Sequence, residues 1–214
     1  RGLGDVYKRQ EKREPGSYVQ AIRFLNELIT NYEESPIVYF ALRHQGDLLR
    51  KASDFSSALK VYDNLIQKYP DHPNRYLVEL SRVDSLLALS SGGSTDQFSE
   101  ILAELERLMD LPNLSASFQL EVGYKLAYVL KKLEYYERAV LVATSMNDRY
   151  PLIVEEARDV SSIGRYWFAP TLFLVSDVLK QLNQVEDAKK LYRLLLEYDL
   201  PGNELAKQYL SELL

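Results

Sequence analysis

Asp54-Phe55-Ser56-Ser57-Ala58-Leu59-Lys60-Val61-Tyr62-Asp63-Asn64-Leu65-Ile66-Gln67-Lys68-Tyr69-Pro70 is the stretch from which the architecture can be read. Phe55, Ala58, Leu59, Tyr62, Leu65, Ile66 and Tyr69 recur three or four residues apart, the spacing that places side chains on one face of an α-helix. Asp54 stands where a helix N-cap is expected. Pro70 and Pro73 stop the helix, because proline lacks the backbone donor and constrains the residue before it. Within this stretch lies a shorter phrase: an aromatic residue, an alanine three positions on, and a tyrosine eleven further.

The phrase returns as Tyr18/Ala21/Tyr32 and Tyr136/Ala139/Tyr150, and in looser form as Val185/Ala188/Tyr198. Proline follows the tyrosine at Pro70 and Pro151. Chance would give about 0.1 strict matches in a chain of this composition, so the phrase marks an internal repeat. Working outward, helix-period spacing dominates the chain and period-two strand patterns are absent. Helices are expected at 17–32 with Ser17 as N-cap, and from Ser35-Pro36 to about Lys51. The repeat helix follows at 55–69, then 74–90. Gly92 and Gly93 lie in a loop, and Thr95 or Asp96 caps a helix through about Met109. Further helices are expected at 115–133, 135–149, 160–182 and 184–198. Asn203 caps a short final one after Leu200-Pro201-Gly202. The fold class is therefore all-α, an α-solenoid of antiparallel hairpins with ten or eleven helices.

Composition narrows the function. A hydrophobic content of 46% supports a core, and zero cysteines exclude a disulfide scaffold, a thiolate metal site and a cysteine nucleophile. A net charge of −5 argues against a nucleic-acid binder, which would usually be basic. No apolar run approaches the ~18 residues of a transmembrane helix. His44 and His72 belong to no ligand-spaced set, and Gly92-Gly93 lacks the lysine and hydroxyl residue of a phosphate loop. Glu155, Glu156 and Asp159 form an acidic cluster that a solvated helix start explains as well as acid–base chemistry does. No cofactor is expected and no catalysis. Compartment, cytoplasmic or periplasmic, is left open. Arg1 to Gln10 resemble an adapter-derived leader, so residues 1–13 are expected to stand outside an array spanning 14–214 that closes on a short C-terminal capping helix. The first helix of the hairpin containing 17–32 would then be missing. Part of the Ile22, Leu25 and Ile29 face would be left under-covered.

With Gly46, Phe55, Ala58, Tyr62 and Pro70 in one repeat, Ala127, Tyr136, Ala139 and Pro151 in another, and Ser176, Ala188 and Tyr192 in a third, the chain resembles the tetratricopeptide repeat family. Irregular repeat spacing and Tyr-Pro repeat ends look like divergent bacterial members. The resemblance implies hairpins whose small residues allow close approach and whose first helices line a concave ligand face. On that projection the face carries Phe40, Arg43, Asp47, Arg50 and Lys51; Glu121, Tyr124, Tyr128, Lys131 and Lys132; and Phe173, Asp177, Lys180 and Gln181. Cations mixed with tyrosines would suit a peptide bearing carboxylates. Ordinary solvated helix faces would look the same. Arg165-Tyr166-Trp167-Phe168 reads chiefly as packing between hairpins. The function implied is a non-catalytic scaffold binding a protein or peptide. Alternatives are a structural component of a cell envelope or a regulatory region of an enzyme.

Overall fold

The computed structural model of the chain describes residues 15–90, 95–149 and 162–213. Among these are ten α-helices: α1 Pro15–Asn31, α2 Ile37–Lys51, α3 Phe55–Lys68, α4 Arg75–Leu89, α5 Thr95–Met109, α6 Ala116–Lys132, α7 Tyr136–Arg149, α8 Ser162–Gln181, α9 Val185–Glu197 and α10 Asn203–Glu212. No strand occurs among the described residues. The expectations for residues 1–13, for the loop residues Gly92 and Gly93, for Tyr150-Pro151 and for the acidic cluster at 155–159 lie outside them.

Helix ends follow local chemistry, with two corrections. Asp54 accepts the Ser57 N–H at 3.1 Å, and Ser115 accepts the Phe118 N–H at 3.3 Å, so both helices start on a side-chain cap. Ser17 is not a cap, because α1 already begins at Pro15; proline suits a first turn whose N–H would lack a partner anyway. Asn203 is not a cap either. Gly202, at φ 89°, takes that place, and Asn203 Nδ2 instead donates to Asp199 Oδ1 at 2.7 Å.

Three hairpins share one turn. Ser53, Glu134 and Asn183 each take positive φ (63°, 62° and 60°) five residues before Ala58, Ala139 and Ala188. The next N–H in each case reaches back across the helix end: Asp54 to Leu49 O, Tyr135 to Leu130 O and Gln184 to Leu179 O, at 2.9, 2.8 and 2.8 Å. This six-to-one bond satisfies a terminal helix carbonyl and turns the chain into the second helix. Its recurrence at a fixed offset is the repeat expressed in backbone geometry.

The chain divides into two compact units, one within residues 4–101 and one within 102–214. In the first, α1, α2, α3 and α4 pack in succession, and α2 also touches α4. Its core holds Val38, Tyr39, Leu42, Ala58, Tyr62, Leu65 and Val78. Full burial of each large side chain contributes about 1.5–3 kcal/mol. In the second, α6 packs on α7 and α8, α8 also packs on α7 and α9, and α10 closes on α9. Leu120, Met146, Phe168, Tyr192 and Leu195 centre its core, with Ala188 in a neighbouring cluster of Val175 and Leu179.

The repeated alanines do the work assigned to them: Ala58, Ala139 and Ala188 are each 0% exposed. Their counterparts on the first helices are Gly46, Ala127 and Ser176, all buried. At Gly46 the Tyr62 ring lies so close that no Cβ would fit beside it. The tyrosines of the phrase are less uniform. Tyr69 is half-buried, edge-on to Tyr39 at 5.6 Å, whereas Tyr32 is 63% exposed.

Candidate protein-interaction faces

In the first unit the projected residues of α2 fall into two groups. Asp47 and Arg50 are tied into a lock between α2, α3 and α4. Tyr62 Oη donates to Asp47 Oδ1 at 2.8 Å, and Arg50 donates to Asp84 Oδ2 at 3.0 Å. Arg50 also stands 3.9 Å from Asp47. Burial, followed by the Asp47 carboxylate, pushes the Tyr62 hydroxyl pKa well up. Burial works against the Arg50 charge, but Asp84, Tyr62 and Asp47 together outweigh it and the guanidinium is held more firmly protonated. These two residues mainly bind the repeat to its neighbour. Phe40, by contrast, is 51% exposed, Lys51 is exposed, and Arg43 is half-buried. Arg43 Nε and Tyr39 Oη are both shielded and both lack a hydrogen-bond partner.

In the second unit α6 and α8 lie side by side. Tyr124 meets Trp167 with ring centroids 5.3 Å apart, tilted by 33°. Burial, with Tyr128 nearby, raises the Tyr124 hydroxyl pKa. Tyr166 stands edge-on to Trp167 at 5.3 Å. Lys125 is 6% exposed; its Nζ donates to Glu121 Oε1 at 2.5 Å and lies 5.6 Å above the Trp167 ring. Lys132 lies 5.5 Å over Tyr128. The Lys132 contact, at the surface, is of order 0.5–1 kcal/mol.

Lys131 and Asp177 form a hydrogen-bonded ion pair between α6 and α8. Lys180 stands 3.6 Å from the same carboxylate and 5.3 Å over Tyr209 of α10. Burial alone would raise the Asp177 pKa, but the two lysines win and hold it below the ordinary carboxylate value. Asp177 and Lys180 therefore serve partly as fasteners. Phe173 shares the Tyr209 ring with Lys180. It packs on Tyr192 and Tyr209 and against Gly202, turned toward the C-terminal cap.

The structure thus brings Tyr124, Tyr128, Lys131, Lys132, Asp177 and Lys180 onto adjoining helices, with Phe173 beside Lys180 on the Tyr209 ring. Trp167 packs against the core, as its sequence suggested, while also joining Tyr124. Sequence reasoning missed Tyr39 and Lys125. The i, i+4 spacing of Tyr39 and Arg43 was the available signal for the first, and that of Glu121 and Lys125 for the second. Among the described residues no group of three or more His, Asp or Glu could hold a metal ion, and no helix is long and apolar enough to cross a membrane.

Fold and faces define a class: an α-solenoid of repeated helical hairpins, an architecture that serves protein–protein interaction. Residues 40–72 match the family described as tetratricopeptide repeat. Solved structures agree on the fold. MamA (residues 41 to end) from Desulfovibrio magneticus RS-1 superposes with a TM-score of 0.64 at 16% identity, over 91% of this chain and 92% of that one. TPR-like repeats assigned to a kinesin light chain of Podosopora anserina give 0.67 at 12% identity, over 88% and 90%. A tetratricopeptide repeat protein from Parabacteroides merdae gives 0.55 at 14% identity, over 97% and 87%. No curated protein matches the sequence significantly.

Proposed function

We propose that the chain is a non-catalytic scaffold that holds a protein or peptide partner on the surface formed by the first helices of its hairpins. The observation that carries this reading is the α6–α8 face, where Tyr124, Tyr128 and Trp167 lie among Lys125, Lys131 and Lys132. Aromatic rings with basic side chains are what protein interfaces concentrate at their energetic centres. The rings supply contact area at low entropic cost, and the exposed Lys132 favours an acidic partner.

A photo-crosslinking residue placed at 128 or 132 tests the assignment. The comparison is with crosslinkers at 141 and 193, which lie on the exposed sides of the second helices α7 and α9. Crosslinks to one partner from 128 and 132, lost in Tyr124→Ala/Lys132→Ala, are expected. The same partner crosslinking only from 141 or 193 would sink the assignment.

A further inference from the structure

We propose that the cavity enclosed by α7, α8 and α9 is a binding site for a saturated hydrocarbon chain, as carried by a medium-length fatty acid or alcohol. The cavity measures about 240 Å³ and lies wholly within the second unit. Met146 of α7 and Phe168, Thr171 and Val175 of α8, all buried, form its floor. Leu191 and Leu194 of α9 are half-buried and Thr144 of α7 is exposed, so the space opens between the second helices of two successive hairpins. None of these walls comes from α6. The site is therefore distinct from the α6–α8 face, and the two readings stand or fall separately.

The walls decide the chemistry. Thr171 Oγ1 donates to Trp167 O at 2.7 Å, and Thr144 Oγ1 donates to Val140 O at 3.0 Å. Both protons are spent within their own helices. Among the described residues no charged side chain lines the cavity. A water molecule needs about two to four polar partners to stay in such a space, and these walls do not offer them. A polar ligand group would likewise be buried without a partner. An apolar chain incurs no such penalty and restores contacts that the walls lack. The space persists because α8 cannot tighten against α7. Pro170 stands inside α8 beside Thr171, where it removes a backbone hydrogen bond and crowds the preceding turn. Ala143, facing it from α7, has no side chain long enough to fill the gap. Met146 is adaptable and suits a flexible chain better than one rigid shape. An apolar cavity of about 150 Å³ accommodates benzene, so one of about 240 Å³ corresponds to about eight to ten carbon atoms.

Methyl NMR of protein labelled at methionine and leucine follows Met146, Leu191 and Leu194 during titration with straight-chain alcohols from butanol to dodecanol. Saturable shifts are expected. Affinity should rise about fourfold per methylene, the worth of burying one, and level off beyond about ten carbons, where the cavity is full. Octanoate is titrated beside octanol, and the tighter of the two tells a fatty acid from an alcohol as the source. Octane carrying a hydroxyl at each end should bind at least about tenfold more weakly than octanol, because one hydroxyl would be buried unpaired. Ala143→Leu takes up the room of about three carbons, so it should weaken octanol binding at least about tenfold and leave the thermal midpoint unchanged or raised. Leu194→Gln changes a half-buried position at the mouth without adding bulk, and should weaken binding about three- to tenfold. No saturable shift, affinity still rising at dodecanol, a diol as tight as octanol, or undiminished binding by either folded variant would each overturn the proposal. Methyl shifts that follow protein concentration rather than added alcohol would assign the cavity to a second copy of the chain and overturn it equally.

Discussion

At the scale of single residues the hairpins depend on what is missing from Gly46. A Cβ there would collide with the Tyr62 ring, and the ring cannot retreat because its hydroxyl is held by Asp47. Gly46→Ala should therefore cost about 1–3 kcal/mol in urea unfolding, the range for overpacking a tight site. Gly123→Ala should cost less, because its nearest neighbour is the thioether of Met146, which can turn aside. The turn at Glu134 makes the opposite case. Its φ of 62° suits glycine better than a side chain. Glu134→Gly should be neutral or stabilising, by up to about 1 kcal/mol, if the relief of backbone strain exceeds the added unfolded-state entropy. A loss above that amount would mean that the Glu134 side chain has a role of its own. Ala58 and Tyr62 were legible from spacing alone. Tyr39 was not, since its orphan hydroxyl depends on groups from α4 that lie more than thirty residues away in sequence.

At the scale of helices, Asp177 joins α6 to α8 through Lys131 and also reaches Lys180 on its own helix, which in turn covers Tyr209 of α10. Its folded-state pKa is lowered, so its stabilising contribution is present above the ordinary carboxylate value and is lost as pH falls through the depressed one. Wild-type stability should decline below about pH 4, and Asp177→Asn should flatten that part of the curve while lowering stability near neutrality. The carboxylate is 39% exposed, so solvent screening keeps the effect modest. An unchanged acid limb in Asp177→Asn would show that other carboxylates govern it. Helix existence and order followed from period and proline placement, and the start of α3 from its cap Asp54, whereas the Ser115 cap was not read from the sequence. Boundaries were misjudged where backbone geometry outranked a good capping residue. Gly202 can adopt a left-handed φ and so displaced Asn203, and Pro15 can start a helix ahead of Ser17.

At the scale of the whole molecule, a repeat protein is stabilised by nearest neighbours, so its stability varies along the chain. No described side chain of α1 is fully buried, Ile22, Leu25 and Ile29 are half-buried, and Val19 and Phe24 are 71% and 60% exposed. Amides of α1 should accordingly exchange faster than those of α6, whose Leu120, Val122, Ala127, Val129 and Leu130 are each 0% exposed. Equal protection would show that α1 is covered by more than its contact with α2. The sequence by itself determined the all-α repeat architecture and the alanines at the centres of the hairpins. Those features rest on local period and on residue size, which are written in consecutive residues. Only the tertiary structure decided which projected charges are free. Arg50, Lys131 and Asp177 look like ligand-binding groups when each helix is read alone. Their partners, Asp84, Asp177 and Lys131, lie on other helices, and a charge becomes a fastener or a binding group only when those helices meet.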